Sequence, residues 1–216
     1  MKRYRNWILT GIAFLFFILF LVLVRTFDVA PIGPEESSVG FAGLNAVFAA
    51  HFPFNASLYK LTEYLGYAAL LVAAGFAVAG FVDLFRKRSL KKLAPEFFAL
   101  AGIYTLVILF YVFFDKVAIN FRPVLLEGTL EPSFPSTHTL LAVTILSTAM
   151  IAFSRLVKNK LLARIFCVLA SLLMLAIVVG RALSGVHWLT DIVGGLLLSG
   201  ALVILYISLL ERNPSR

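Results

Sequence analysis

The chain has 216 residues, of which 61% are hydrophobic and 14% charged, and its formal net charge at pH 7 is +8. Soluble domains carry roughly a quarter charged residues and under half apolar residues, so this composition indicates an integral membrane protein and excludes an ordinary soluble domain. The basic residues lie in short clusters between apolar segments, as orientation signals do, which argues against nucleic acid as a partner.

Six apolar segments approach or exceed the length of about 20 residues that a helix needs to cross a bilayer. The first is longer than the apolar part of a secretory signal and has no small-residue cleavage site after it, so we expect it to be retained. The predicted fold is all-α: a polytopic membrane protein, with one domain over 1–216 that forms a bundle of six transmembrane helices. The predicted spans are about 7–24, 59–85, 95–114, 139–153, 161–179 and 188–210.

The first connection, 28–57, contains an apolar pattern of its own. Phe41, Leu44, Phe48 and Phe52 recur at roughly helical spacing. An amphipathic helix that lies on the membrane surface fits this pattern. Two interpretations of the helix stay open: a lid over the functional site, or interfacial packing alone.

The distribution of basic residues predicts the orientation. Most of the 19 lysines and arginines lie at alternate ends of the spans, and the positive-inside rule places those ends and both termini in the cytoplasm. The connections 115–138 and 180–187 then share the extracytoplasmic face of the cytoplasmic membrane. The basic residues outside this distribution are Arg25, Lys60, Lys116, Arg122 and Arg181, three of which fall in those two connections.

The third of three polar motifs, 181–191, contains a histidine and an aspartate at helical spacing. Ionisable residues beside membrane segments are costly and therefore indicate a functional site. His187 and Asp191 are four residues apart at the predicted start of a helix, so they share one face. The carboxylate can fix the tautomer of the imidazole and leave its other nitrogen free as a nucleophile. A histidine that the aspartate holds for structural reasons alone is the alternative.

The first two motifs, 116–123 and 135–138, supply groups that suit a phosphate. Ser136 is a natural N-cap, and the amides at a helix N-terminus bind anions. His138 can give a proton to a leaving alkoxide. Guanidinium groups match phosphate oxygens two at a time, and Arg122 and Arg181 provide two of them beside Lys116. Together these groups predict metal-free phosphoryl transfer.

The three motifs resemble those of the type 2 phosphatidic acid phosphatase superfamily, whose pattern is Lys-x6-Arg-Pro, Pro-Ser-Gly-His and Ser-Arg-x5-His-x3-Asp. The resemblance implies a six-span lipid phosphatase with extracytoplasmic active-site loops and a phosphohistidine intermediate. By position, His187 would be the nucleophile, Asp191 its orienting carboxylate and His138 the general acid. The phosphate ligands would be Lys116, Arg122, Ser136, Thr137 and Arg181.

The chain departs from the family pattern at three places. Five residues rather than six separate Lys116 from Arg122, and Asp115 stands where the pattern has lysine. Thr137 replaces the glycine of the second motif, and Gly180 replaces the serine of the third. Because an aspartate that faces the phosphate would repel it, we expect Lys116 rather than Asp115 to be the working residue.

The resemblance leaves the substrate and some alternatives open. Undecaprenyl diphosphate and phosphatidylglycerophosphate are the main candidates, beside phosphatidate and smaller isoprenoid diphosphates. A lipid-to-lipid phosphotransferase and a non-catalytic protein that binds or transports lipid phosphates would use the same fold. A metal site is a further alternative, although its spacing is unlike known motifs; its ligands would be His138, His187, Asp191 and Glu131.

Overall fold

The computed structural model describes residues 2–212, with side chains from Tyr4 to Glu211. Of the basic residues used above for the orientation, Arg216 and the side chains of Lys2, Arg3 and Arg212 lie outside these bounds. Seven helices follow one another in the described part of the chain: α1 Lys2–Thr26, α2 Ala42–His51, α3 Ala56–Lys87, α4 Pro95–Lys116, α5 Thr137–Leu156, α6 Lys160–Leu183 and α7 Leu189–Arg212.

All of these helices except α2 are long and apolar enough to cross a membrane. They coincide with the six predicted spans, so the all-α, six-span prediction is confirmed. The helices exceed the predicted spans at most ends because helical hydrogen bonding continues into the polar flanks. Asn55 and Asn159 cap α3 and α6 by accepting hydrogen bonds from backbone amides, and Pro95 occupies the first turn of α4.

The centre of the bundle consists of α5 and α7. Half of the most apolar 18-residue stretch is buried in each of these helices, against 6% of the corresponding stretch in α3. Leu140 and Leu146 of α5 and Leu198 and Leu202 of α7 are among the fully buried side chains. The outer helices leave large apolar side chains exposed, as a bilayer environment requires. The two central helices also begin at the same end of the bundle, where the polar motifs lie.

The apolar pattern in the first connection forms α2, as predicted. Its Asn45 is fully buried and donates to the Gly40 carbonyl at 2.8 Å and to Oγ1 of Thr190 at 3.0 Å. The Thr190 amide donates to Oδ1 of Asn45 at 3.3 Å. These hydrogen bonds fix α2 to the first turn of α7.

The connection between α4 and α5 is a hairpin-like loop. The Arg122 amide donates to the Glu131 carbonyl and the Ser133 amide donates to the Asn120 carbonyl, both at 2.9 Å. The chain reverses at Glu127 and Gly128, whose φ angles are 51° and 77°. Positive φ at two consecutive residues is typical of the turns that close hairpins. We call residues 120–133 the hairpin loop.

The hairpin loop is attached to the start of α7. The indole nitrogen of the buried Trp188 donates to the Phe121 carbonyl at 2.6 Å. The Ser136 amide, just after the loop, donates to the backbone carbonyl of Asp191 at 2.9 Å. The first motif is thereby held against the third.

Candidate active site

The structure brings most of the predicted site residues together where α5 and α7 begin. A pocket of about 350 Å³ reaches His187 and is lined also by Arg122 and Thr137. Glu131 and Asp115 contribute two carboxylates to the same pocket. His138 and Arg181, on α5 and α6, are not among its lining residues.

His187 is buried, and its imidazole ring makes no hydrogen bond to the described residues. Its residue surface is 2% exposed, and neither ring nitrogen has a hydrogen-bond partner among the described residues. Nδ1 lies 3.5 Å from Oδ2 of Asp191. Burial, and then the charges of Arg122 and Arg181, hold the pKa of His187 well below its ordinary value. The ring is therefore neutral at neutral pH, and with its proton on Nδ1 it presents a lone pair at Nε2.

Asp191 is held in place from two sides. The Trp188 amide donates to Oδ2 at 3.0 Å, as the third residue of a helix often accepts from the capping residue. Nδ2 of Asn120 donates to Oδ1 at 3.3 Å. The carboxylate is fully buried, and these N–H donors offset part of the free energy lost when it leaves water.

Arg181 is fully buried and contacts His138. Its Nη2 donates to Nε2 of His138 at 2.6 Å, and its guanidinium lies 4.8 Å from the ring centroid of Tyr59. Since arginine has no acceptor, this contact requires Nε2 of His138 to accept, with the ring proton on Nδ1. Nε and Nη1 of Arg181 lack partners among the described residues. Buried guanidinium N–H groups without partners favour the binding of an anion.

Arg122 lines the pocket from the hairpin loop. Its Nε donates to Oε2 of Glu131 at 3.0 Å, and its Nη1 donates to the Val186 carbonyl at 3.4 Å. The side chain is 12% exposed, so the loop holds it in a defined position. The remaining N–H groups of the guanidinium are available to a ligand in the pocket.

Ser136 and Thr137 begin α5. Ser136 occupies the predicted N-cap position, but its hydroxyl accepts from Oγ1 of Thr139 at 3.1 Å and does not cap the helix. Thr137, in place of the family glycine, lines the pocket. The first amides of a helix have no intrahelical acceptor, so the start of α5 provides donors for an anion.

The structure does not bring Lys116 to the pocket. Its side chain is 77% exposed, and Nζ lies 3.2 Å from Oδ2 of Asp115. Asp115 lines the pocket in its stead. The geometric reason is that α4 ends at Lys116, after which the chain turns into the non-helical approach to Arg122.

Several residues of the site were not found from the sequence. Asn120 is an isolated polar residue in an apolar stretch, and that was its one signal. Tyr59 begins a span far away in the chain, and nothing in the sequence connected it with the site. Glu131, considered above as a metal ligand, instead accepts from Arg122. No group of three or more His, Cys, Asp or Glu side chains that could hold a metal ion occurs within residues 2–212.

Comparisons with known proteins identify the family and the fold. Residues 65–215 match the PAP2 superfamily. The crystal structure of a transmembrane PAP2-type phosphatidylglycerolphosphate phosphatase from Bacillus subtilis superimposes with a TM-score of 0.66 at 14% identity, covering 96% of this chain and 98% of that one. No curated protein gives a significant match. The chain belongs to the PAP2 superfamily and has the fold of its multi-pass membrane members.

Proposed function

We propose that the protein is a phosphatase of lipid phosphates or diphosphates that works through a phosphohistidine intermediate, without a metal ion. The observation that carries the proposal is the environment of His187. A neutral, buried imidazole faces Asp191 with one nitrogen, and it lines a pocket that also contains Arg122 and the start of α5. This is the arrangement that a nitrogen nucleophile and its phosphate ligands require.

In the first step, Nε2 of His187 attacks phosphorus. A nitrogen–phosphorus bond forms, the bond from phosphorus to the leaving oxygen breaks, and that oxygen takes a proton from His138. The imidazole of His187 becomes cationic, and the carboxylate of Asp191 stabilises it through the proton on Nδ1. Arg122, Arg181, Ser136 and Thr137 bind the phosphoryl oxygens, whose charge they stabilise in the transition state.

In the second step, a water molecule attacks the phosphohistidine. His138, now neutral, takes a proton from the water, the nitrogen–phosphorus bond breaks, and inorganic phosphate leaves. The first step needs a protonated His138, whereas Nε2 of His138 accepts a hydrogen bond from Arg181 at 2.6 Å. Arg181 must therefore release Nε2, which then takes up a proton from water before the phosphoryl group is transferred. A bound phosphate would draw Arg181 away from His138, because phosphate oxygens accept from a guanidinium more strongly than a neutral imidazole does.

The membrane setting favours an amphiphilic substrate. The pocket opens at the end of an apolar six-helix bundle, so a lipid can enter from the bilayer while its phosphate reaches His187. We propose one phosphatase domain over 1–216, in the cytoplasmic membrane, with its termini in the cytoplasm and its site outside. Undecaprenyl diphosphate and phosphatidylglycerophosphate are the substrates proposed first. The structural similarity to the Bacillus subtilis phosphatidylglycerolphosphate phosphatase supports the second.

The test is phosphate release by the purified protein, with a chelator present, from a panel that contains both lipids, phosphatidate and glucose phosphate. We expect release from at least one lipid and poor release from glucose phosphate. His187→Gln is the matched inactive control. Binding of the lipids without release would indicate a non-catalytic protein. Transfer of the phosphoryl group to an added acceptor lipid would indicate a phosphotransferase, and loss of activity with the chelator would contradict the metal-free mechanism.

A further inference from the structure

Asn120 lies at a junction between the two halves of the site. It precedes Arg122 by two residues in the hairpin loop, and its residue surface is 1% exposed. Its carbonyl accepts from the Ser133 amide at 2.9 Å, which closes the base of the loop. Its side-chain Nδ2 donates to Oδ1 of Asp191 at 3.3 Å. One buried amide therefore connects the loop that carries Arg122 to the carboxylate that faces His187.

The two donors to Asp191 have different consequences. Trp188 lies on the same helical turn, so its amide orients the carboxylate only relative to α7. Asn120 is 71 residues away in sequence, and its donation fixes the carboxylate relative to the phosphate-binding loop. With one oxygen held by each donor, rotation of the carboxylate away from Nδ1 of His187 would break both hydrogen bonds.

The ionised state of Asp191 also depends on these donors. A fully buried carboxylate loses its hydration, and N–H donors are what replace the lost hydrogen bonds. An ionised Asp191 is required when His187 takes up the phosphoryl group, because the imidazole is then cationic. Removal of Asn120 takes away one of the donors that replace this hydration.

We infer that Asn120 is a positioning residue, which directs the Asp191 carboxylate at Nδ1 of His187 and favours its ionised form while Arg122 binds the phosphate. The inference rests on the proposed function. It gives two residues of the hairpin loop different roles. Arg122 binds the substrate, and Asn120 positions the carboxylate that faces the nucleophile.

The experiment compares Asn120→Ala with Asn45→Ala. Both changes remove a buried asparagine that connects a loop or helix to the first turn of α7, but Asn45 bonds to Thr190 and not to Asp191. For Asn120→Ala we expect kcat to fall by roughly tenfold to a hundredfold, by analogy with the hydrogen-bond partners that orient metal-binding histidines. KM and inhibition by inorganic phosphate should stay near wild type, because Arg122 is unchanged. Asn45→Ala should keep kcat near wild type per folded molecule.

Asn120→Asp provides a second variant of nearly the same size. It removes the N–H donor and puts a second carboxylate against Asp191, so its kcat should fall further than that of Asn120→Ala. The inference is wrong if Asn120→Ala keeps the wild-type kcat, if it raises KM alone, or if its loss equals that of Asn45→Ala.

A readout other than turnover separates this inference from the proposed function. Diethyl pyrocarbonate modifies neutral imidazole, and peptide mass mapping reports its reaction at His187 alone. We expect faster modification of His187 in Asn120→Ala than in wild type or Asn45→Ala, because the ring loses its fixed partner. If wild-type protein releases no phosphate from any lipid, the proposed function fails, and an unchanged modification rate in Asn120→Ala would overturn the inference by itself.

Discussion

At the scale of single residues, the site shows how burial sets chemical behaviour. Arg181 is a fully buried arginine whose N–H groups are only partly engaged, and His187 is a buried imidazole with no hydrogen-bond partner among the described residues. Such groups lower the stability of the unliganded protein. In the proposed function a bound phosphate satisfies the same groups, so the free energy lost on folding would be recovered in part on binding.

Asp115 lines the pocket and Lys116 does not, which gives a prediction for single residues. Asp115→Asn should raise the affinity for inorganic phosphate, because a carboxylate is removed from the wall of the pocket. Lys116→Ala should change kcat/KM little, since its side chain is exposed and lies outside the pocket. Inhibition constants for phosphate and kcat/KM for a lipid substrate measure both effects. A large loss in Lys116→Ala would show that the lysine reaches the phosphate in the complex.

The lowered pKa of His187 predicts how stability depends on pH. In the unfolded chain the imidazole takes up a proton near its ordinary pKa of about 6.5. The folded protein does not take it up there, since burial holds the pKa of His187 lower. The unfolded state therefore binds more protons as the pH falls below that value, and the free energy of unfolding falls with it.

His187→Gln removes this contribution. Thermal unfolding midpoints in detergent, measured between neutral and mildly acid pH, should fall less in His187→Gln than in wild type. Equal slopes for the two proteins would mean that His187 is protonated in the folded state.

At the scale of helices and loops, the positions of the spans could be predicted from the sequence, whereas the structure of the hairpin loop could not. Span positions follow from local apolar length, and α2 follows from local helical spacing, so each could be predicted from its own segment. The hairpin loop depends on distant partners: Trp188 binds the carbonyl of Phe121, and Asp191 binds the side chain of Asn120. No local pattern contains this information, and so the end of α4 at Lys116 and the position of Asp115 were not foreseen.

The turn between α6 and α7 gives a prediction for this scale. Gly185 has a φ of 67°, and a Cβ there would lie 2.6 Å from the Phe52 carbonyl oxygen and the Phe54 amide nitrogen. Gly185→Ala should therefore destabilise the protein by more than the ~1–2 kcal/mol that left-handed backbone alone costs. Gly200→Ala is the matched control, because its Cβ would meet no atom within 4 Å. Unfolding midpoints should fall in the first variant and stay or rise in the second; equal midpoints would contradict the contact.

At the scale of the whole molecule, the two ends of the bundle differ in composition. The motif residues gather where α5 and α7 begin, whereas the basic clusters around Lys87 and Lys158 lie at the other end of the helices. By the positive-inside rule this separation predicts an orientation with the basic clusters in the cytoplasm. Glu127 lies at the tip of the hairpin loop, and so on the proposed outer side.

Single cysteines test the orientation in a protein whose one native cysteine, Cys167, has been replaced. An impermeant thiol reagent applied to intact cells should label Glu127→Cys and should leave Lys87→Cys unlabelled until the cells are opened. Labelling of Lys87→Cys alone in intact cells would invert the proposed topology.

The central claim is that His187 carries the phosphoryl group during turnover. The most direct measurement is peptide mass mapping after wild-type protein, turning over a lipid phosphate from the panel, is quenched in alkaline denaturant that preserves phosphohistidine. We predict one phosphoryl group on His187 and none in His187→Gln. Continued release of phosphate by His187→Gln, or a phosphoryl group on another residue, would contradict the account.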